Sequence, residues 1–280
     1  MLVNEKQFND KMNKGLVPDI VNDNEIPKKA VLGNRNVDMI IVPYGVKEIG
    51  DWAFAHCLML KEIWLPDTVE KYGRDIFLDD DKLEKIVVYS KQETEQFYYV
   101  NEDMPELFAI AIKCFKKSET YRFSNLFDEN WLKWFDSNLS DYIDEPDETG
   151  FNPFLAGGEE DYEDPENDIE YYKKKQRERK CGAILKRLKS AKEPSVSYME
   201  KYKAHINKHK SDAIRFILDN KQESFDYLKI YAEHDFIEEK DIPSLLESFS
   251  DESYIDNKAY IIKYKEQHFK NKNIWDDFKL

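Results

Sequence analysis

Residues 41–63 read IVPYGVKEIGDWAFAHCLMLKEI, and residues 64–86 read WLPDTVEKYGRDIFLDDDKLEKI. Set one above the other, they share a 23-residue register. Pro43 falls on Pro66, Val46 on Val69, Gly50 on Gly73, Phe54 on Phe77, Leu60 on Leu83 and Ile63 on Ile86. A further step back finds a worn copy, in which Ala30 and Val31 match Ala53 and Phe54, Val37 matches Leu60, and Ile40 matches Ile63. So many coincidences at one period mark stacked units, which share a core that none could close alone.

Every copy ends in the same apolar spacing: Val37-x-x-Ile40-x-Val42, Leu60-x-x-Ile63-x-Leu65 and Leu83-x-x-Ile86-x-Val88. The last positions alternate with period two, as a strand does. Pro43 and Pro66 close their strands because proline cannot donate to a ladder. Gly50 and Gly73 turn the chain, and Phe54 and Phe77 return to the core. This is the leucine-rich-repeat signature. The stretch IGDWAFAHCLMLKEIWLP further resembles the BspA-like leucine-rich repeats, through Ile49, Gly50, Ala53, Phe54, Cys57, Leu60, Ile63, Leu65 and Pro66. The second copy departs from that pattern at Tyr72, Ile76 and Asp80. The resemblance covers residues 26–89. It implies a non-enzymatic binding scaffold.

Period two also sets which strand residues face away from the core: Met39, Glu62 and Lys85 in one row, Ile41, Trp64 and Val87 in the next, and Pro43, Pro66 and Tyr89 in a third. Partners commonly sit on such a face. A row of Ile, Trp and Val is too apolar to be left in water, and tryptophan often anchors a binding surface. The candidate binding residues are therefore Met39, Ile41, Glu62, Trp64, Lys85, Val87 and Tyr89. Two readings stand: the row packs against the rest of the chain, or it receives a partner. So few turns need caps. The stretch around Phe8, Met12 and Leu16 reads as an N-terminal helical cap.

After Tyr89 the pattern becomes helical. Pro105 opens ELFAIAIKCF, which reads as a buried helix, and WLKWF (131–135) reads as a second. From Trp134 to Tyr172 there are 14 Asp or Glu and no Lys or Arg, with Pro146, Pro153, Pro165 and Gly157-Gly158. That composition predicts a mobile, solvated loop. Tyr171 to Ser190 is a helix carrying nine Lys or Arg and one Glu. The acidic loop is expected to screen it in cis. Further helical segments follow at 213–218, 225–234, 242–249 and 254–269. Ala213 to Leu245 is 32 residues and Leu228 to Ile261 is 33. This spacing resembles ankyrin-type helix pairs, although the T-P-L-H motif is absent. The layout as a whole is similar to that of bacterial leucine-rich-repeat proteins.

The predicted class is α+β, a short 23-residue leucine-rich-repeat solenoid followed by an α-helical, ankyrin-like solenoid. The expected divisions are 1–101 for the repeats and N-terminal cap, 102–137 for a helical connector, 138–168 for the acidic loop and 169–280 for helical repeats. A formal charge of −15 disfavours nucleic-acid backbones and anionic lipid as general partners. The second reading, a nucleic-acid-linked regulator, would use the basic helix at 173–189. Cys57, Cys114 and Cys181 have no metal spacing and read as reduced thiols, which places the chain in the cytoplasm. His205 and His209 stand one helical turn apart, but in KAHINKHK they read as a solvated face rather than a metal site. No phosphate-binding, nucleotide-binding or nucleophile motif occurs. The expectation is a scaffold for a protein partner, with no catalysis, metal, cofactor or membrane span.

Overall fold

A computed structural model describes residues 2–4, 10, 13–22, 24–91, 97–100, 104–115, 129–151, 168–190 and 192–269. The chain falls into two compact units, residues 1–142 and 143–280.

The first unit is built on the 23-residue step. Three strands, β3 (Met39–Ile41), β5 (Glu62–Pro66) and β7 (Lys85–Lys91), lie parallel, with Met39 opposite Glu62 and Glu62 opposite Lys85. Ile40, Val42, Ile63, Leu65, Ile86 and Val88 point into one core with Phe54, Phe77, Leu60 and Leu83, as the alternation requires. Each coil also carries a second, two-residue strand that the sequence did not announce. These are β2 (Glu25–Ile26), β4 (Glu48–Ile49) and β6 (Lys71–Tyr72), again parallel and 23 residues apart. The main sheet extends beyond β7. There the chain returns antiparallel as β8 (Phe97–Val100), which pairs with β1 (Leu2–Asn4).

The side of each coil away from the main sheet is irregular, yet its backbone is paired. Lys29, Trp52 and Asp75 adopt positive φ, as do Gly33, His56 and Asp79, both sets at steps of 23. The reason is visible in the hydrogen bonds. Lys29 donates to Asp51, Trp52 to Arg74, Gly33 to Ala55 and His56 to Leu78, so these four left-handed residues turn their N–H groups onto the next coil. Left-handed backbone costs a non-glycine residue roughly 1–2 kcal/mol. A buried amide left without a partner costs a comparable amount, which offsets the strain.

Gly50 and Gly73 play a part different from a turn. A Cβ on Gly50 would lie 2.5 Å from the Lys28 nitrogen, and one on Gly73 would stand closer still to the Asp51 backbone. Both glycines mark where one coil rests directly on the previous one. Exposed pairs follow the same step: Lys47 with Glu70 (2.7 Å), Lys71 with Glu48 (3.2 Å) and Arg74 with Asp51 (3.2 Å).

One end of the solenoid is closed by α1 (Pro105–Cys114), which adds Phe108 and Ala109 to the repeat core. Trp131, on α2 (Glu129–Asp144), meets Phe108 edge-on at 4.8 Å and stacks on Phe135 at 5.3 Å. The other end differs from the expected helical cap. Phe8 and Met12 lie outside the described residues. Leu16 is extended, paired as a one-residue parallel bridge with Ile40. Gly15 and Pro18 flank it, and neither favours a helix.

The second unit is helical: α3 (Ile169–Lys189), α4 (Val196–Lys208), α5 (Lys210–Asp219), α6 (Ser224–Glu233), α7 (Ile242–Ser248) and α8 (Ile255–His268). The segment expected to be loop from residue 138 is helical as far as Asp144, because Leu139, Tyr142 and Ile143 supply a buried face at helical spacing. Residues 152–167 lie outside the described residues.

Replacing Gly73 with Ala should lower unfolding stability by about 2–3 kcal/mol, the range for forcing an atom into a filled contact. Urea denaturation checks this. Ala at Gly33, which has open space around it, should cost about 1 kcal/mol for its left-handed backbone alone.

Candidate binding surface

The structure brings the predicted face together. Met39, Glu62 and Lys85 form one register row, Ile41, Trp64 and Val87 the next, and Tyr89 lies opposite Pro66. Ile41, Trp64, Val87 and Tyr89 make a cluster separate from the repeat core, with Met39 packed against it. They are not solvated: Ile41 is 0% and Trp64 5% exposed.

Several contacts fix this cluster. The Tyr89 hydroxyl donates to the Val42 carbonyl at 2.7 Å, reaching back across two coils. Its ring packs against Tyr44 at 6.3 Å and Trp64 at 6.2 Å. The Trp64 indole N–H donates to the Glu62 carboxylate, so a buried row and a half-buried row are joined through one side chain. On the same face Gly15 lies against Ile41, where an added Cβ would stand 2.7 Å from Cγ1. The part of the face that reaches water is therefore the half-buried row Met39, Glu62 and Lys85.

Asp80 is the position where the second coil departs from Cys57. Its Oδ1 accepts the Cys57 N–H at 2.7 Å, and its Oδ2 is buried without a hydrogen-bond partner. Burial first, then the neighbouring Asp79 and Asp81, pushes its pKa up to about 8, against the pull of the Cys57 N–H. The sequence shows the substitution but not its consequence, since burial of that one oxygen depends on the coil below.

In the second unit the basic helix is spent on internal contacts. Of its nine cations only Arg179 and Lys189 are exposed. Lys180 is buried and donates to the Asp147 carboxylate at 2.7 Å and to the Glu145 carbonyl. Arg177 faces Asp147 at 3.6 Å and Asp212 at 3.2 Å, Lys175 bonds Glu178 at 2.7 Å, and Lys189 bonds Glu223 at 3.1 Å. Lys186 and Lys189 also lie over the rings of Phe216 and Tyr227. Screening in cis does occur: Asp147, which belongs to the acidic segment, supplies part of it, and Asp212 and Glu223, further along the helical unit, supply more. A nucleic-acid reader needs a row of unpaired cations on one face, and the described residues do not present one here.

The histidine pair also differs from expectation. His205 and His209 are 4.7 Å apart, ring centre to ring centre, and only partly exposed. Burial, then the proximity of His209 and Lys180, pushes the His205 pKa down to about 4, and its Nε2 has no hydrogen-bond partner. Among the described residues no group of three or more His, Cys, Asp or Glu is placed to hold a metal ion. No helix among them is long and apolar enough to cross a membrane.

A family model described as the BspA type leucine rich repeat region (6 copies) matches residues 22–127. The match covers well under half the chain, and it extends past the last sequence repeat into the segment that holds α1. No curated protein and no solved structure matches the chain.

Two outcomes follow. Because folded Asp80 keeps its proton to about pH 8 while an unfolded aspartate loses it near pH 4, the native state binds more protons between those values. Its contribution to stability therefore falls as pH rises through that window. Asp80→Asn keeps the acceptor for Cys57 and removes the charge. It should match wild type at about pH 4 and exceed it by roughly 2 kcal/mol at pH 8, read from urea midpoints. Separately, Trp64→Phe should remove only fluorescence that iodide cannot quench, measured by comparing Stern–Volmer plots of variant and wild type.

Proposed function

We propose that this chain is a non-enzymatic scaffold that binds a protein partner through the strand face of its leucine-rich repeats. The observation that carries the reading is the register row Met39–Glu62–Lys85, half in water and backed by a rigid apolar layer. Leucine-rich repeats are commonly interaction scaffolds, and the family match supports that use here. The buried row of Ile41, Trp64 and Val87 would act as the support that holds the contact residues in place, with Glu62 tied to Trp64. A rigid, pre-ordered surface loses little freedom on binding.

We further infer that the helical unit is a second, ankyrin-like stack. The pairs α5–α6 and α7–α8 support this, together with contacts about one repeat apart. Ser224 meets Asn257 at 3.4 Å, the Tyr264 hydroxyl donates to the Ala232 carbonyl at 3.4 Å, and the Tyr254 hydroxyl donates to the Leu218 carbonyl at 2.8 Å. The three free cysteines suit a reducing compartment, and we place the protein in the bacterial cytoplasm.

The test is affinity purification with wild type and the double charge reversal Glu62→Lys, Lys85→Glu. The variant should keep its thermal midpoint within a few degrees and lose the specific partners. If a stably folded variant recovers the same partners in the same amounts, the strand face is not the site.

A further inference from the structure

The last described helix, α8, has two faces. Asn257, Ile261 and Tyr264 are buried in the helical unit. On the opposite side Ile255, Ala259 and Ile262 form one row at helical spacing, and all three are exposed. Ile255 is 70% and Ile262 45% exposed. A helix on the outside of a stack ordinarily turns polar residues to water there. Only the flanks of this row do so. Helical spacing puts Lys258 on one side of it and Lys263 on the other, both exposed and neither with an ion-pair partner among the described residues. The result is a narrow apolar strip, about 10 Å long, between two unpaired cations in a chain of net charge −15.

The size of the strip decides which occupant suits it. A stable contact between two separate proteins buries about 800 Å² on each. Two isoleucines and an alanine on one helical row do not offer that. A segment of the same chain needs no such area, because a short tether holds it at an effective concentration on the order of millimolar. Residues 270–280, which lie outside the described residues, continue directly from α8 and read KNKNIWDDFKL. Ile274, Trp275 and Phe278 have the spacing of one helix face, with Asp276 and Asp277 between them. That pattern complements the strip: apolar groups for Ile255 and Ile262, carboxylates for Lys258 and Lys263. The reach also suffices. His268 lies about 9 Å along the helix from Ile262, and residues 269–273 can span up to about 17 Å.

We propose that the row Ile255–Ala259–Ile262 is the seat of the chain's own residues 274–278, which fold back on α8 and close the end of the helical unit, with Asp276 and Asp277 against Lys258 and Lys263. The inference goes beyond the strand-face reading and is independent of it. It concerns the other unit, and it names an occupant from within the chain.

The experiment uses the full chain and the fluorescence of Trp275, one of five tryptophans. Its own emission is the difference between wild type and Trp275→Phe. That emission should lie at short wavelength, and iodide should quench it at least threefold less than it quenches the free peptide KNKNIWDDFKL. Ile262→Glu should raise quenching to the level of the peptide and shift the emission to long wavelength. Its thermal midpoint should stay within a few degrees of wild type, because the substituted side chain lies outside the core. Lys258→Glu combined with Lys263→Glu should give an intermediate value. Val196→Glu, at an exposed apolar residue elsewhere on the helical unit (77% exposed), should change nothing. If Trp275 in wild type is quenched as readily as in the free peptide, the segment does not dock. Protection that survives Ile262→Glu would place the segment somewhere other than the strip, and the proposal fails. Protection that disappears on dilution would make a second copy the occupant, and the assignment within the chain would be wrong.

Discussion

The spacing between one coil's backbone and the next governs the N-terminal unit. Parallel strands on one side and short parallel strands on another fix the coils in register. On the remaining side, backbone amides from left-handed residues reach the following coil directly. That closeness is why Gly50 and Gly73 carry no side chain: their Cβ positions are filled by the neighbouring backbone. It is also why charges 23 residues apart meet, and why Asp80 can reach the Cys57 amide. Strain, glycine placement and ion pairs are consequences of one stacking distance.

The sequence made the strands and their facing legible, because period two and the 23-residue step are both linear patterns. Inward Ile40, Ile63 and Ile86 and outward Met39, Glu62 and Lys85 could be read directly, as could the helix begun at Pro105. What escaped was information that depends on a neighbour. The left-handed conformations at Lys29, Trp52, His56 and Asp79 fall on residues with no glycine-like signature. The second strand in each coil is too short to show a period. Gly50 and Gly73 were visible as repeat positions, but their role as contact points was not. The return strand Phe97–Val100 follows a change of pattern that reads as the end of the sheet.

The candidate face illustrates the same limit. Alternation places Ile41, Trp64 and Val87 on the outward side, but it cannot say what else lies there. In the structure Tyr89 bonds back to Val42, Gly15 lies on Ile41, and the row is buried. The water-facing part shifts by one register step, to a row of mixed charge. The basic helix makes the converse point. Nine cations in nineteen residues look like a binding surface on paper, yet Lys180 and Arg187 are buried, Arg177 is paired, and only Arg179 and Lys189 are exposed. Cations inside a fold need partners, and Asp147 and Asp212 supply them.

Native-state hydrogen exchange on the N-terminal unit tests the stacking account most directly. If coil-to-coil pairing holds the solenoid, the amides of Trp52, Phe54 and His56, in irregular backbone, should be protected to the same degree as those of Ile63 and Leu65 in β5, and should open with them as one unit. Rapid exchange of the first set while the strand amides remain protected would contradict it, and would leave the main sheet alone as the source of order.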